Sequence, residues 1–311
     1  MGNPRVVELG QQRFLLDLDF RDTEGLIAAY LLPEPEGWAL VETGPTSCRE
    51  SLLRAVAAAG VERAEVRDIF VTHIHLDHAG GLGVVSADFP RAQLRAHEVG
   101  IPHLADPSRL VAGARRVWGA ASDRLWGPVV GAAPARLHGL KGGETFALKD
   151  GQLRVVATPG HAKHHLSFFD TSLRAVLAGD SAGVLLEGSR QVRPAVPPPD
   201  LDLGQLYASL EAMRALDPER VLLSHFGPTP HGADDLRHYR AAVERWREIA
   251  LAAARERPDP AFIAARLQVF DATEPTGDKS DRASLVSGYD LAAQGFLRYF
   301  QQHGDLDGAP T

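Results

Sequence analysis

Residues 72–81 read THIHLDHAGG and place His73, His75, Asp77 and His78 within six positions, directly after the apolar run DIFVT at 68–72. Imidazole and carboxylate are the nitrogen and oxygen ligands that suit zinc, iron or manganese. In an extended segment side chains two apart share a side, so His73 and His75 face together. Asp77 and His78, entering a helix, can then face a second ion nearby. An isolated histidine is more often a core or surface residue than a ligand, but three of them with an aspartate behind one strand point to a metal.

One segment cannot wrap an ion in good tetrahedral geometry, so further donors are expected from elsewhere. Three other places bring an apolar run, a turn and a donor together: TPGHAKHH with His161, LAGDSAG with Asp180, and LLSHFGP with His225. Each donor would project from the end of a buried strand. The chain has a single cysteine, so a thiolate cluster and an intrachain disulfide are excluded. Cys48 falls in the first turn of an amphipathic helix, TSCRESLLRAVAAAG, and is read as structural in preference to nucleophilic.

Around these donors the first half reads as short strands separated by turns: RFLLDLDF, LIAAYLL and WALVET. A helix is expected after Gly44-Pro45, capped by Ser47 with Glu50 completing the box and Gly60 beyond its end. Residues 97–137, with four prolines plus Trp118 and Trp126, read as a lid-like insertion or helical hairpin. Strands resume with TFAL, LRVVAT, LSFFD and RAVLAG. VRPAVPPPD at 192–200 is a stiff connector. After it come the helix GQLYASLEAMRALD, the strand VLLSH, a long helix from Ala233, and a last helix ending at His303-Gly304. Strands first and helices late favour two packed sheets covered by helices. No G-x-G-x-x-G follows a strand, so a dinucleotide fold fits less well.

The 311 residues carry 33 basic and 40 acidic side chains, a net charge of −7, which argues against bulk electrostatic binding of nucleic acid. No apolar stretch is long enough for a membrane helix, and the N-terminal residues lack a basic flank with an apolar core, so a cytoplasmic protein without membrane or nucleic-acid partners is expected. Arg115 and Arg116 could meet a substrate carboxylate, but arginine is too frequent in this chain to single them out.

The order H-x-H-x-D-H, then TPGH, GD and SH strand ends resembles the metallo-β-lactamase superfamily, in its glyoxalase II and lactonase branch, over about residues 13–230. The resemblance implies an α/β (α+β) fold, the αββα sandwich, over residues 1–230, with a C-terminal helical extension at 231–311. It implies two divalent metal ions, zinc first with iron or manganese as alternatives. His73, His75 and His161 would hold one ion, Asp77, His78 and His225 the other, and Asp180 would bridge them. His165 matches a frequent second histidine that supports the ligands. The family usually has Asp in the early strand-end motif, whereas this chain has Glu42 in LVETGP, which would support the same loop from further away.

The activity so implied is that of a dinuclear hydrolase, in which a hydroxide shared by two ions attacks a small ester, thioester or lactone, with Asp77 and Asp180 as proton shuttles. Trp118 and Trp126 are expected as apolar walls of the acyl-substrate pocket, and the C-terminal helices as a surface for a homodimer. The alternatives are a phosphodiesterase of the same fold, a mononuclear non-haem iron thiol or persulfide dioxygenase, and a non-catalytic relative that kept the fold.

Overall fold

The structure is a computed structural model that describes residues 4–186, 192–273 and 281–306. Two compact units make up the chain, one formed by Met1–Ala157 with His164–Ala178, the other by Thr158–Lys163 with Gly179–Thr311.

In the first unit seven strands pair in chain order: β1 Val6–Gly10, β2 Arg13–Asp17, β3 Ala28–Glu34, β4 Gly37–Val41, β5 Val66–Phe70, β6 Gln93–His97 and β7 Leu137–Leu140. The pairing is antiparallel from β1 to β4 and parallel from β4 to β7. Four further strands, β8 Thr145–Leu148, β9 Gly151–Ala157, β10 Leu166–Asp170 and β11 Ala175–Gly179, form an antiparallel meander in a second sheet. The fold class read from the sequence, two sheets with helices, is the one adopted. Among these strands β1, β6 and β7 are additions to that reading. Edge strand β1 exposes Val7 and buries little besides Leu9, so its pattern carries no clean alternation.

The two sheets face each other across Phe70 of β5, whose ring lies 4.9 Å from Phe146 of β8 and 5.3 Å from Phe168 of β10. A fully buried cation crosses the same interface: Arg13 of β2 donates from Nε to Asp170 of β10 at 2.8 Å and from Nη2 to Asp150 at 2.6 Å. A charge in the core is tolerable only when paired in this way. The helix Arg49–Ala58 packs on β2 with Leu52, Leu53, Ala55 and Val56 inward. Its expected cap is not made. Residues Thr46–Cys48 form a 3₁₀ turn, and the Ser47 hydroxyl donates to the Leu125 carbonyl at 2.6 Å instead. Cys48 is buried and burial pushes its thiol up to about 12, which leaves it an inert core residue.

Parallel strands send their loops off one end of a sheet. Strand β4 ends at Val41 and hands the chain to Glu42, and β5 ends at Phe70 and hands it to Thr72 and the histidine segment. Residues 97–137 hold the helices Ile101–Ala105, Ser108–Trp118 and Ser122–Trp126, a helical insertion between β6 and β7.

The second unit is mostly helical. Leu203–Arg214, Ala233–Glu256, Pro260–Thr273 and Tyr289–His303 pack on one another, and β12 Arg220–Leu223 pairs with β13 Gly227–Pro228. Asp202 caps the first of these helices by accepting from Gln205 N at 2.9 Å, and Gly304 ends the last in the left-handed conformation, φ 72°.

Candidate metal centre

Each unit presents its own set of donors. In the first, the segment after β5 turns at His75, which precedes the short helix Leu76–Ala79. The turn is tied down on the loop after β4. Thr43 donates from its backbone N and from its hydroxyl to the His78 carbonyl at 3.1 and 3.0 Å, and Gly81 N donates to Gly44 O at 2.8 Å. A Cβ on Gly80 would meet the Leu76 carbonyl at 2.3 Å, so the glycine pair after His78 is a packing requirement.

Glu42 organises the imidazoles. Its backbone sits at φ 72°, a strained conformation for a residue with a side chain, and its carboxylate is 1% exposed. Thr72 Oγ1 donates to Glu42 Oε1 at 2.5 Å, which uses the hydroxyl proton, so the 3.0 Å contact from His73 Nδ1 makes Thr72 the acceptor. His78 Nδ1 donates to the same Oε1 at 3.2 Å. Both rings therefore carry their proton on Nδ1 and present Nε2 for binding. His73 Nε2 lies 2.9 Å from His75 Nδ1, and His78 Nε2 lies 3.9 Å from Asp77 Oδ2. Two nitrogens held by one tetrahedral zinc at 2.0–2.1 Å stand about 3.3 Å apart, close to the His73–His75 spacing. His165 is buried with its ring 4.9 Å from that of His73, and His164 stacks at 6.3 Å.

In the second unit the three donors come from three separate turns. The TPGH turn needs its glycine: Gly160 has φ 132°, and a Cβ there would meet Leu206 N at 2.3 Å. Ser209 Oγ donates to Pro159 O at 2.7 Å, pinning the turn to the helix Leu203–Arg214. His161 Nδ1 donates to the Ala195 carbonyl at 2.8 Å, and since a carbonyl can only accept, Nε2 is again the nitrogen left with a lone pair. That Nε2 faces Asp180 Oδ2 at 3.6 Å, while His225 Nε2 faces Asp180 Oδ1 at 3.6 Å. The His161 Nε2 lone pair facing a carboxylate oxygen is repelled unless a cation intervenes, so this donor set fits a positive ion.

A strap around Ala195 supports His161. Ala195 N donates to the buried Tyr239 hydroxyl at 3.3 Å. Two residues upstream, Arg193 lies 3.9 Å over the Tyr289 ring and 3.8 Å from Asp271, which also accepts from Trp246 Nε1 at 3.1 Å and Tyr289 Oη at 2.9 Å. Sequence reasoning missed Thr72, Ala195 and Tyr239. A backbone carbonyl and a lone tyrosine leave no spacing signal, and Thr72 passes as the last residue of a strand.

Trp126 is buried, stacks on Phe20 at 6.0 Å with 10° between planes, and meets the edge of Trp118 at 5.8 Å. Of the two, Trp126 lines a cavity in the first unit and Trp118 does not.

Strand-end imidazoles and carboxylates on a two-sheet α/β scaffold define a protein equipped to bind divalent metal. The chain belongs to the metallo-beta-lactamase superfamily, which it matches over residues 22–225. A hydroxyacylglutathione hydrolase of Synechococcus sp. (strain JA-3-3Ab) is 28% identical over 202 residues, 63% of this chain and 62% of its own length. This match thus spans less than two thirds of that relative. A hydroxyacylglutathione hydrolase of Jannaschia sp. (strain CCS1) is 26% identical over 279 residues, 87% of this chain and 82% of its own. Among solved structures, a metallo-beta-lactamase family protein of Thermus thermophilus superposes with a TM-score of 0.65 at 21% identity, covering 98% of this chain and 95% of that one. Among the described residues no helix is long and apolar enough to cross a membrane.

Proposed function

We propose that the chain is a metal-dependent hydrolase of a small ester, thioester or lactone, and that its two donor sets together serve a pair of divalent ions, zinc first. His73, His75 and His161 would hold one ion, Asp77, His78 and His225 the second, with Asp180 shared. When bound, such ions lower the pKa of a water toward neutrality and polarise the carbonyl oxygen that gains charge. The chain's own part is orientation and proton traffic. Glu42 and the Ala195 carbonyl fix which nitrogen each ring presents. Asp77 and Asp180, as ligand carboxylates that retain a lone pair, would pass a proton to the leaving group.

The observation that carries this reading is the orientation pattern. His73, His78 and His161 each have Nδ1 committed to an oxygen, leaving Nε2 for metal. The relatives that share the superfamily and are named hydroxyacylglutathione hydrolase support thioester or ester chemistry over the alternatives. The test is a panel of thioesters, lactones and aryl esters run beside bis-p-nitrophenyl phosphate and a thiol substrate with an oxygen electrode. Turnover of acyl substrates that stops on chelation and returns with zinc is expected. Preferential phosphodiester cleavage or oxygen uptake would replace this reading with one of the alternatives.

A further inference from the structure

In the first unit a cavity of about 420 Å³ is bounded by the helical insertion and the metal-ligand segment. Its size falls in the roughly 300–1,000 Å³ range of small-ligand pockets. The wall residues Leu76, Val111, Trp126, Pro128 and Val129 are apolar, and Leu76 sits between His75 and Asp77. Among the described residues of the lining the charged ones are Arg115 and Asp123. They pair with each other at 3.2 Å and are exposed, so they mark a rim and leave the interior without charge.

The two sides of this cavity are built differently. Residues 125–128 are clamped: Ser47 Oγ donates to Leu125 O at 2.6 Å, Thr46 Oγ1 donates to Pro128 O at 2.7 Å, and Trp126 is stacked on Phe20. Gly127, at φ 69°, lies so close to this clamp that a Cβ would meet Ser47 N at 3.0 Å. The opposite side is the helix Ser108–Trp118, which has no buried residue. A helix with so little buried surface is the part of a pocket that adjusts most readily.

We infer that this cavity is the acyl subsite, taking an uncharged, medium-length apolar acyl group whose carbonyl end points toward the Leu76 flank. The inference rests on the proposed acyl hydrolase and names its substrate class: esters or thioesters of medium-length acyl chains, in preference to acetyl or to acids with a charged tail. Val111 and Val129 set the depth. The clamped wall reads the shape of the chain, and the loose helix gives way to admit it.

The test separates this claim from the hydrolase reading. Saturation-transfer NMR with octanamide, and acetamide as the short control, reads occupancy without turnover. Octanamide is expected to bind the wild-type protein, and acetamide to give no saturable signal. Val111→Phe and Val129→Phe, each shown to be folded by circular dichroism, should weaken octanamide at least fivefold. In parallel, the ratio of kcat/KM for p-nitrophenyl octanoate over p-nitrophenyl acetate should fall at least tenfold in both variants. Octanamide binding that neither variant alters, or no binding at all, would overturn the subsite whatever the turnover. Binding as expected with no ester or thioester turnover would overturn the hydrolase reading and leave an apolar ligand site.

Discussion

The donor sets of the two units differ in how they are held. The first unit gathers four donors in six residues and orients two of them with one buried carboxylate, Glu42, acting directly on His78 and through Thr72 on His73. The second unit collects three donors from residues 161 to 225 and orients His161 with a neutral backbone carbonyl on a strap. Charge at short range is compact in sequence but sensitive to any change in the carboxylate. A strap spreads the task over Tyr239, Arg193, Asp271 and Tyr289, so no single contact decides it. The first arrangement should fail sharply and the second gradually.

The largest effects should come from removing a donor in either unit. His73→Ala and Asp180→Asn should each lower kcat/KM by more than the 10–100-fold typical of outer partners, with loss of bound metal measured on the same samples. Unchanged turnover in Asp180→Asn would end its assignment as shared ligand. Next in size is Glu42→Gln, which keeps the shape but removes the charge. Metal affinity by competition with a chelating dye should weaken about 10–100-fold. On the other side of the comparison, Tyr239→Phe removes only the acceptor for Ala195 N and should weaken metal binding less than tenfold. Arg193→Met, which ends the ion pair with Asp271 together with a cation–π contact of order 1 kcal/mol, should do the same. A Tyr239→Phe effect as large as that of Glu42→Gln would erase the contrast.

The smallest effect on activity is expected at Glu34, at the β3–β4 hairpin, the end of the sheet opposite the donors. Burial, with the neighbouring charge of Asp68, pushes its carboxyl up to about 8. A raised folded-state value means the fold favours the protonated form. That contribution to stability is complete below the ordinary carboxylate range and is lost as pH rises through about 8. Glu34→Gln should therefore flatten the fall in thermal stability between about pH 5 and 9 and leave turnover unaltered, checked by unfolding scans and a pH series.

Legibility in the sequence follows the same divide. Donors packed into H-x-H-x-D-H announce themselves, because spacing, residue type and a preceding apolar strand all agree. Those of the second unit become readable only through the order of three strand-end turns, a pattern that resemblance to a family supplies and composition does not. Glu42 is visible as a carboxylate in a strand-end turn, but its service to two rings depends on a positive φ that no propensity reveals. Helix capping misleads at Ser47, since its hydroxyl is used across 78 residues to hold Leu125. The strap is silent: Ala195 contributes backbone atoms alone, and Tyr239 lies in a helix whose pattern reads as ordinary core packing. Helices between β6 and β7 fall where the sequence suggests a helical hairpin, yet the cavity beside them depends on clamps from Thr46 and Ser47 that only the folded chain displays.

The most direct test is the number of metal ions per chain in protein purified without added metal, followed by zinc titration of the chelated form with ester hydrolysis read on each sample. About two ions per chain, with hydrolysis rising as the second equivalent binds, is the expected result. One iron per chain with oxygen consumed on a thiol, or a chain that takes up no transition ion, would contradict it.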